Sequence, residues 1–207
     1  MNYEGIKTLA LGYADREDQE VIARIDDFIT IVEARVNRVL EVRKMTARSQ
    51  VPTVVDQTYY GLPGDFSGIR DIEITNIDGS GRETLSMVTP EQMTQQEAAN
   101  ITGAQTQIVY AIVADQLQIY PPQTDRILEI VYYQNLPNLN SVDNENWLSF
   151  YAGDVYVFGI LVEINSFIKD AQTAQLWDGR FKEALDALDA DDQRTRWSGP
   201  PMKVRST

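Results

Sequence analysis

Apolar positions recur three and four residues apart at both ends of this 207-residue chain and tend to alternate through its middle, so the pattern divides it into helical flanks and a β-rich centre. Residues 3–13, YEGIKTLALGY, predict a short amphipathic helix with Ile6, Leu9 and Tyr13 on one face. A second helix is expected to start at Asp15, with Glu17, Asp18 and Glu20 in a first turn where acidic side chains favour the helix dipole. Val21, Ile25, Phe28, Val32, Val36 and Val39 then continue it for about 20 residues, and Ile22, Ile29 and Leu40 widen the stripe enough for two packing neighbours. Arg35, Arg38, Arg43 and Lys44 gather at its C-terminal end, where they complement the negative end of the dipole; an anion site is the alternative.

From Val51 the period changes. VPTVVDQTYYGLP is rich in β-branched and aromatic residues and closes on Pro63 and Gly64, while SGIRDIEITNI alternates imperfectly, with Ile72, Ile74 and Ile77 against Ile69, Asp71 and Glu73. Asp78-Gly79-Ser80-Gly81 reads as a hairpin turn into RETLSMV, because Asp and Gly tolerate the positive φ of tight turns. It also mimics part of a calcium loop but lacks the further acidic positions and the distal Glu. Thr89 as N-cap and Pro90 in the first turn start a short helix, EQMTQQEAAN. IVYAIV and QLQIY form a second hairpin about Ala114-Asp115, Pro121-Pro122 breaks it, and RILEIVYY is a further strand, giving five or six strands within residues 47–138. Asn100-Ile101-Thr102 fits a glycosylation acceptor by chance.

Beyond the β-region, Asn144 or Asn146 can cap a helix carrying Trp147, Leu148, Tyr151, Val155, Phe158, Leu161, Val162 and Phe167. Between Val155 and Ile168 nearly every face is apolar, so this helix is buried on several sides, in a bundle core or against a neighbouring subunit. A last helix, about Ala171 to Arg194, has a narrower stripe of Leu176, Trp177, Phe181, Leu185 and Leu188. The expected fold class is α+β: helix pairs at the two ends (1–46 and 139–196) forming a bundle, an inserted antiparallel β-domain (47–138), and an extended arm (197–207).

Composition narrows the chemistry. With no cysteine and no histidine, the chain has no thiolate ligand or nucleophile and lacks the commonest general base, so an enzyme is not expected, nor a cofactor or metal site. The carboxylate pairs on offer, Asp189 with Asp191 and Asp192, or Asp154 with Glu163, read as solvated helix-end acids and a structural ion pair. No apolar run reaches the about 20 residues of a membrane span, and the N-terminus lacks a signal peptide's basic region and small-residue cleavage site, so a cytoplasmically made, soluble protein is expected. The net charge of −13 opposes binding to a phosphate backbone, and residues 47–144 hold most of the surplus, four basic side chains against twelve acidic.

One set of residues carries a family resemblance. YYGLPGDFSGIRDIEI, QLQIYPP, EIVYYQNLPNLN and the run from NENWLSFYAGDVYVFGILVEINSFIKD to RTRWSG, together residues 55–199, resemble the head-to-tail adaptor (neck) proteins of tailed bacteriophages. The carrying elements are Tyr60 to Pro63, Tyr132-Tyr133, Asn146-Trp147-Leu148 and the Lys169-Asp170 pair before Trp177; Ala152-Gly153-Asp154-Val155 departs from the family's usual Pro-Asp-Leu-like start, which points to a helix broken near Gly153 or beginning earlier. The resemblance implies a structural virion protein of the neck that binds the portal protein as a ring, usually of twelve copies. Such a ring offers a platform to tail or nozzle proteins and passes DNA through its channel without sequence-specific binding.

On that reading, the surplus apolar face supplies the subunit interface, with Trp147, Tyr151, Tyr156, Phe158 and Phe167 as candidates. The basic ending RTRWSGPPMKVRST supplies a portal-binding arm through Arg194, Arg196, Trp197, Pro200, Pro201, Met202, Lys203 and Arg205, since Pro-Pro favours extended backbone and Trp and Met can anchor in pockets; a frayed terminus is the plainer reading. Acidic side chains facing the bore would repel DNA. The alternatives are a tail-completion or decoration protein, or a carbohydrate-binding β-module stacking sugars on Tyr59, Tyr60, Tyr132 and Tyr133.

Overall fold

Helices and strands segregate along the chain into an α+β protein, seen in a computed structural model that describes residues 1–16, 18–99 and 107–196. In order, the elements are α1 (Tyr3–Ala14), α2 (Gln19–Ile22), α3 (Ile25–Val39), β1 (Thr46–Pro52), β2 (Tyr59–Gly61), β3 (Phe66–Asn76), β4 (Glu83–Thr84), β5 (Ser86–Met87), α4 (Pro90–Ala99), β6 (Val109–Val113), β7 (Gln116–Tyr120), β8 (Arg126–Gln134), α5 (Trp147–Tyr151), α6 (Gly153–Phe167) and α7 (Ala171–Arg196). They form two compact units, Met1–Met45 with Leu136–Thr207, and Thr46–Asn135.

In the helical unit, Asn2 caps α1 by accepting from the Gly5 amide, and Asp15 closes it in the left-handed region at φ 50°. Asp15 therefore ends the first helix instead of starting the second. Tyr3, Ile6 and Ala10 are the buried residues of α1. At about 100° per residue they span an arc of about 60°. Leu9 and Tyr13 share a flank with Ile6 as the spacing predicts, but they remain 41% and 58% exposed. The expected long second helix is interrupted at Ala23-Arg24, where the Arg24 amide turns tightly onto the Val21 carbonyl. Asp26 and Asp27 then favour a fresh N-terminus for α3, and Asp26 accepts from the Tyr3 hydroxyl. Ile25, Phe28, Ile29, Val32 and Val36 are buried along α3; Val39, expected in the same stripe, is 70% exposed, because the chain turns extended at Leu40 and buries that side chain instead.

The break anticipated near Gly153 separates α5 from α6. Asn146 caps α5 with a reciprocal capping box to Ser149. The apolar α6 packs against α1, α3, α5 and α7, so Val155, Tyr156, Ile160, Leu161 and Ile164 are enclosed by their own chain. Gly159 marks the closest approach: a Cβ there would lie 2.7 Å from a Val32 methyl and 3.1 Å from the Phe181 ring. On α7 the buried stripe is Ala174, Phe181 and Leu185, while Leu176 faces solvent.

The other unit contains eight strands among its described residues, more than the five or six expected, because β2, β4 and β5 are only two or three residues long. They form two four-stranded sheets, β1-β8-β3-β4 and β2-β7-β6-β5. Ile72, Ile74, Leu128 and Ile130 of the first meet Tyr60, Tyr110, Leu117 and Ile119 of the second in one core. Register shifts between Phe66 and Gly68 and between Ile69 and Asp71 account for the imperfect alternation of β3, since each bulge moves the following side chains to the other face. The expectation of a wholly antiparallel domain fails at one pair. β5 and β6 run parallel, because α4 forms the crossover between them and a hairpin turn cannot join parallel strands. Thr89 starts α4 as expected, its hydroxyl accepting from the Gln92 amide.

Candidate functional site

The proposed arm divides at the end of α7. Arg194 is exposed and pairs with Asp191 one turn before it, Arg196 is the last residue of the helix, and Trp197, Pro200, Pro201, Met202, Lys203 and Arg205 lie outside the described residues. Asn100-Ile101-Thr102 lies outside them too.

The five interface candidates do not form one patch. Tyr156 is completely buried, and its hydroxyl donates to Glu33 at 2.9 Å and accepts from the Asn146 side chain at 2.7 Å, so it belongs to the interior and not to a subunit contact. Its apolar helix carries no surplus face: the neighbours that the sequence left open are α1, α3, α5 and α7 of the same chain. Phe158 is half-buried and stacks on Trp177 at 5.8 Å. Trp147 is half-buried beside Val42, Arg43, Lys44 and Leu188, its indole N–H enclosed without an acceptor. Phe167 tilts against Phe28 at the edge of the core, with the Arg24 guanidinium over its ring. Tyr151 is the exposed member at 63%; with Phe150 at 66% it forms an edge-to-face aromatic pair, and the Lys44 ammonium sits 3.6 Å from its ring centre. That ammonium also lowers the pKa of the Tyr151 phenol.

The basic residues at the end of α3 have separate duties. Arg38 donates to the Ala34 carbonyl, in keeping with a helix-end role. Arg35 instead reaches across the unit to Glu163 at 3.2 Å and Asp178 at 2.6 Å while lying over the Phe181 ring. The Asp178 carboxyl is held below its ordinary range by Lys182 first and then by Arg35. Arg43 donates from both its backbone and its guanidinium to Asp192. The four cations therefore do not converge on an anion site: Arg35 ties α3 to α6 and α7, Arg43 ties the residues after α3 to α7, Arg38 serves its own helix end, and Lys44 lies over the Tyr151 ring.

Glu33 is a buried carboxylate that periodicity did not single out. Its Oε1 accepts from the Leu139 amide at 2.7 Å and from the Tyr156 hydroxyl, and Asn146 extends the network to the Pro137 carbonyl. Burial raises its pKa, and the two hydrogen bonds oppose that rise only in part. The network fixes the segment that returns the chain to the helices. Among the described residues no group of three or more Asp or Glu side chains is arranged to hold a metal ion. Glu163 is committed to Arg35, and Asp192 to Arg43. Tyr60 and Tyr132 belong to the β-core, which removes two of the four aromatics from any sugar-stacking surface.

Two exposed surfaces were not found by reading stripes for burial. On α1, Leu9 and Tyr13 border a shallow groove of about 630 Å³ floored at Gly5, Thr8 and Gly12. Tyr13 meets Trp177 edge-on at 5.9 Å, which joins this groove to the Trp177–Phe158 stack. On the other side of α7, Arg38, Val39, Lys182, Leu185 and Asp186 line a cleft of about 410 Å³. An apolar residue at the margin of a helical stripe, such as Leu9 or Val39, is the signal that could have marked them.

No described helix is long and apolar enough to cross a membrane. A family model described as "SU10 adaptor protein" matches residues 1–205. No curated protein matches the chain.

Proposed function

The chain belongs to the SU10 adaptor protein family, a family of phage head-tail adaptors, and from that premise we propose that it assembles as a ring on the portal and joins the DNA-filled head to the tail. The ring has twelve copies, as the family resemblance implies, binds the portal through residues 194–207, and presents the β-unit to tail or nozzle proteins. DNA passes through its channel without sequence-specific contacts. The excess of acidic over basic side chains suits a channel wall that must not hold the DNA backbone.

The observation that supports this reading is a set of exposed aromatic side chains on a unit whose interior is already filled. Phe150, Tyr151 and Tyr13 are more than half exposed although α6 has satisfied its apolar faces within the chain. Large exposed aromatics on a small soluble domain suit binding to another protein. Purified portal rings, incubated with the full chain and with a chain lacking residues 195–207, test the reading by co-sedimentation. The full chain is expected to co-sediment and the shortened one to remain in the supernatant. Equal binding by both would remove the arm, and binding by neither would remove portal attachment.

A further inference from the structure

β1 is an outer strand of the β1-β8-β3-β4 sheet and, among the described residues, pairs with β8 alone. Just past it the Thr53 amide donates to the Arg126 carbonyl at 2.8 Å, so by the two-residue repeat of a strand Ala47, Ser49 and Val51 also turn their main-chain groups toward β8. Arg48 and Gln50 therefore turn theirs to the open side, as does the Pro52 carbonyl. The side chains that could screen this row are drawn back over the sheet, since the Arg48 guanidinium and the Gln50 amide both donate to Glu129 on β8. The other edges are blunted. β2, β4 and β5 are two or three residues long, and the part of β3 that β4 leaves uncovered is bulged twice. Short strands, bulges, lysines and prolines are the usual means of keeping an edge from taking another strand. β1 lacks them: it has seven residues in unbroken register, no lysine, and its one proline at the last position.

We propose that β1 is the docking edge for a tail or nozzle protein, which adds an extended segment of its own chain as the next strand of this sheet. A free row of alternating N–H and C=O groups is matched by another extended main chain. The side chains of β1 set the pattern of that segment. Ala47 and Val51 pack at the margin of the β-core, and Val54 and Val55 just beyond are 52% and 62% exposed, so apolar residues suit every second position, with polar ones between them beside Arg48 and Gln50. A second copy offering its own β1 would make a two-fold pair, which stops at a dimer, so the occupant is a different protein. This rests on the reading above that the β-unit meets tail or nozzle proteins, and it gives that contact a form.

The probe is a blocked, dye-labelled peptide of alternating valine and threonine with a lysine at each end, titrated into the full chain and followed by fluorescence anisotropy. Saturable binding is expected. Gln50→Pro removes one outward N–H while the pairing with β8 stays, and Gln50→Ala keeps that N–H while losing the same side chain. Binding about tenfold weaker in Gln50→Pro, as one lost hydrogen bond allows, is expected beside parental binding in Gln50→Ala. Amide hydrogen exchange of the unchanged chain gives a second measurement that needs no variant. The Arg48 and Gln50 amides should exchange fast in the free chain and slow with the peptide, whereas Ala47, Ser49 and Val51 should be slow in both. No saturable binding, equal binding by the two variants, or slow exchange of Arg48 and Gln50 in the free chain would overturn the proposal; in the last case, a dependence on protein concentration would identify a second copy as the occupant. Rings on the portal whose edge ignores the peptide remove strand addition alone, and a peptide-binding chain that ignores the portal removes the neck reading and leaves the edge.

Discussion

Adding one methyl group at Gly159 tests how tightly α6 is enclosed. In Gly159→Ala the new Cβ would lie 2.7 and 2.8 Å from the two methyls of Val32 and 3.1 Å from the Phe181 ring. Carbon atoms in optimal contact are separated by about 3.5–4.0 Å. Val32 and Phe181 are both buried, and a valine on a helix has one strongly preferred rotamer, so neither methyl can swing clear. Overpacking of this kind costs about 1–3 kcal/mol, while alanine regains about 0.8–1.0 kcal/mol of helix propensity over glycine. With three atoms inside contact distance the clash belongs in the upper part of that range, leaving a net loss of about 1–2 kcal/mol. Urea unfolding followed by circular dichroism would show this as a lower midpoint at unchanged slope. Val32→Ala in the same chain removes both methyls, so the double variant should be more stable than the sum of the single effects predicts. A Gly159→Ala protein as stable as the parent would refute the tight approach of α6 to α3 and α7.

Arg35→Met leaves Glu163 without its guanidinium and takes one of two cations from Asp178. The expected loss is about 2–3 kcal/mol, below the 3–5 typical of fully buried pairs because these side chains keep partial exposure; a urea-unfolding loss under about 0.5 kcal/mol would make the tie ornamental. Glu33 has a folded pKa raised by burial, so its contribution to stability is fully present below the ordinary carboxylate pKa and is lost as pH rises through the folded value. Glu33→Gln should therefore gain in melting temperature relative to the parent as pH rises toward 8, and a parent that gains on the variant over that range would contradict the assignment. Asn146→Ala removes the α5 cap and the link to Tyr156 and Pro137, with an expected cost of about 1–2 kcal/mol in urea unfolding; no measurable change would show that the α5 junction does not depend on it.

Much of the architecture is legible because local chemistry agrees with the fold. Asn146, Thr89, the Asp78-Gly79 turn and the Ala114-Asp115 hairpin act through contacts a few residues apart, and the β6, β7 and β8 runs need only a buried face to become strands. The departures come from long-range packing. The apolar α6 looked as though it needed a partner subunit because a sequence does not reveal that α1, α3, α5 and α7 all converge on it, and Tyr156 was assigned outward for that reason. Arg35 looked like a helix-end charge because Glu163 and Asp178 are more than a hundred residues away. The parallel β5–β6 pair depends on where the α4 crossover sets the next strand, which alternation does not encode. Tyr151 was found as an exposed aromatic, whereas Leu9, Tyr13 and Val39 were read as interior because periodicity marks a stripe without its edges.

Electron microscopy of the purified protein, alone and mixed with portal rings, tests the central claim most directly. The account predicts a closed ring of this chain seated coaxially on the portal with an open central channel. Particles of bare portal beside a protein that stays monomeric at every concentration would contradict it.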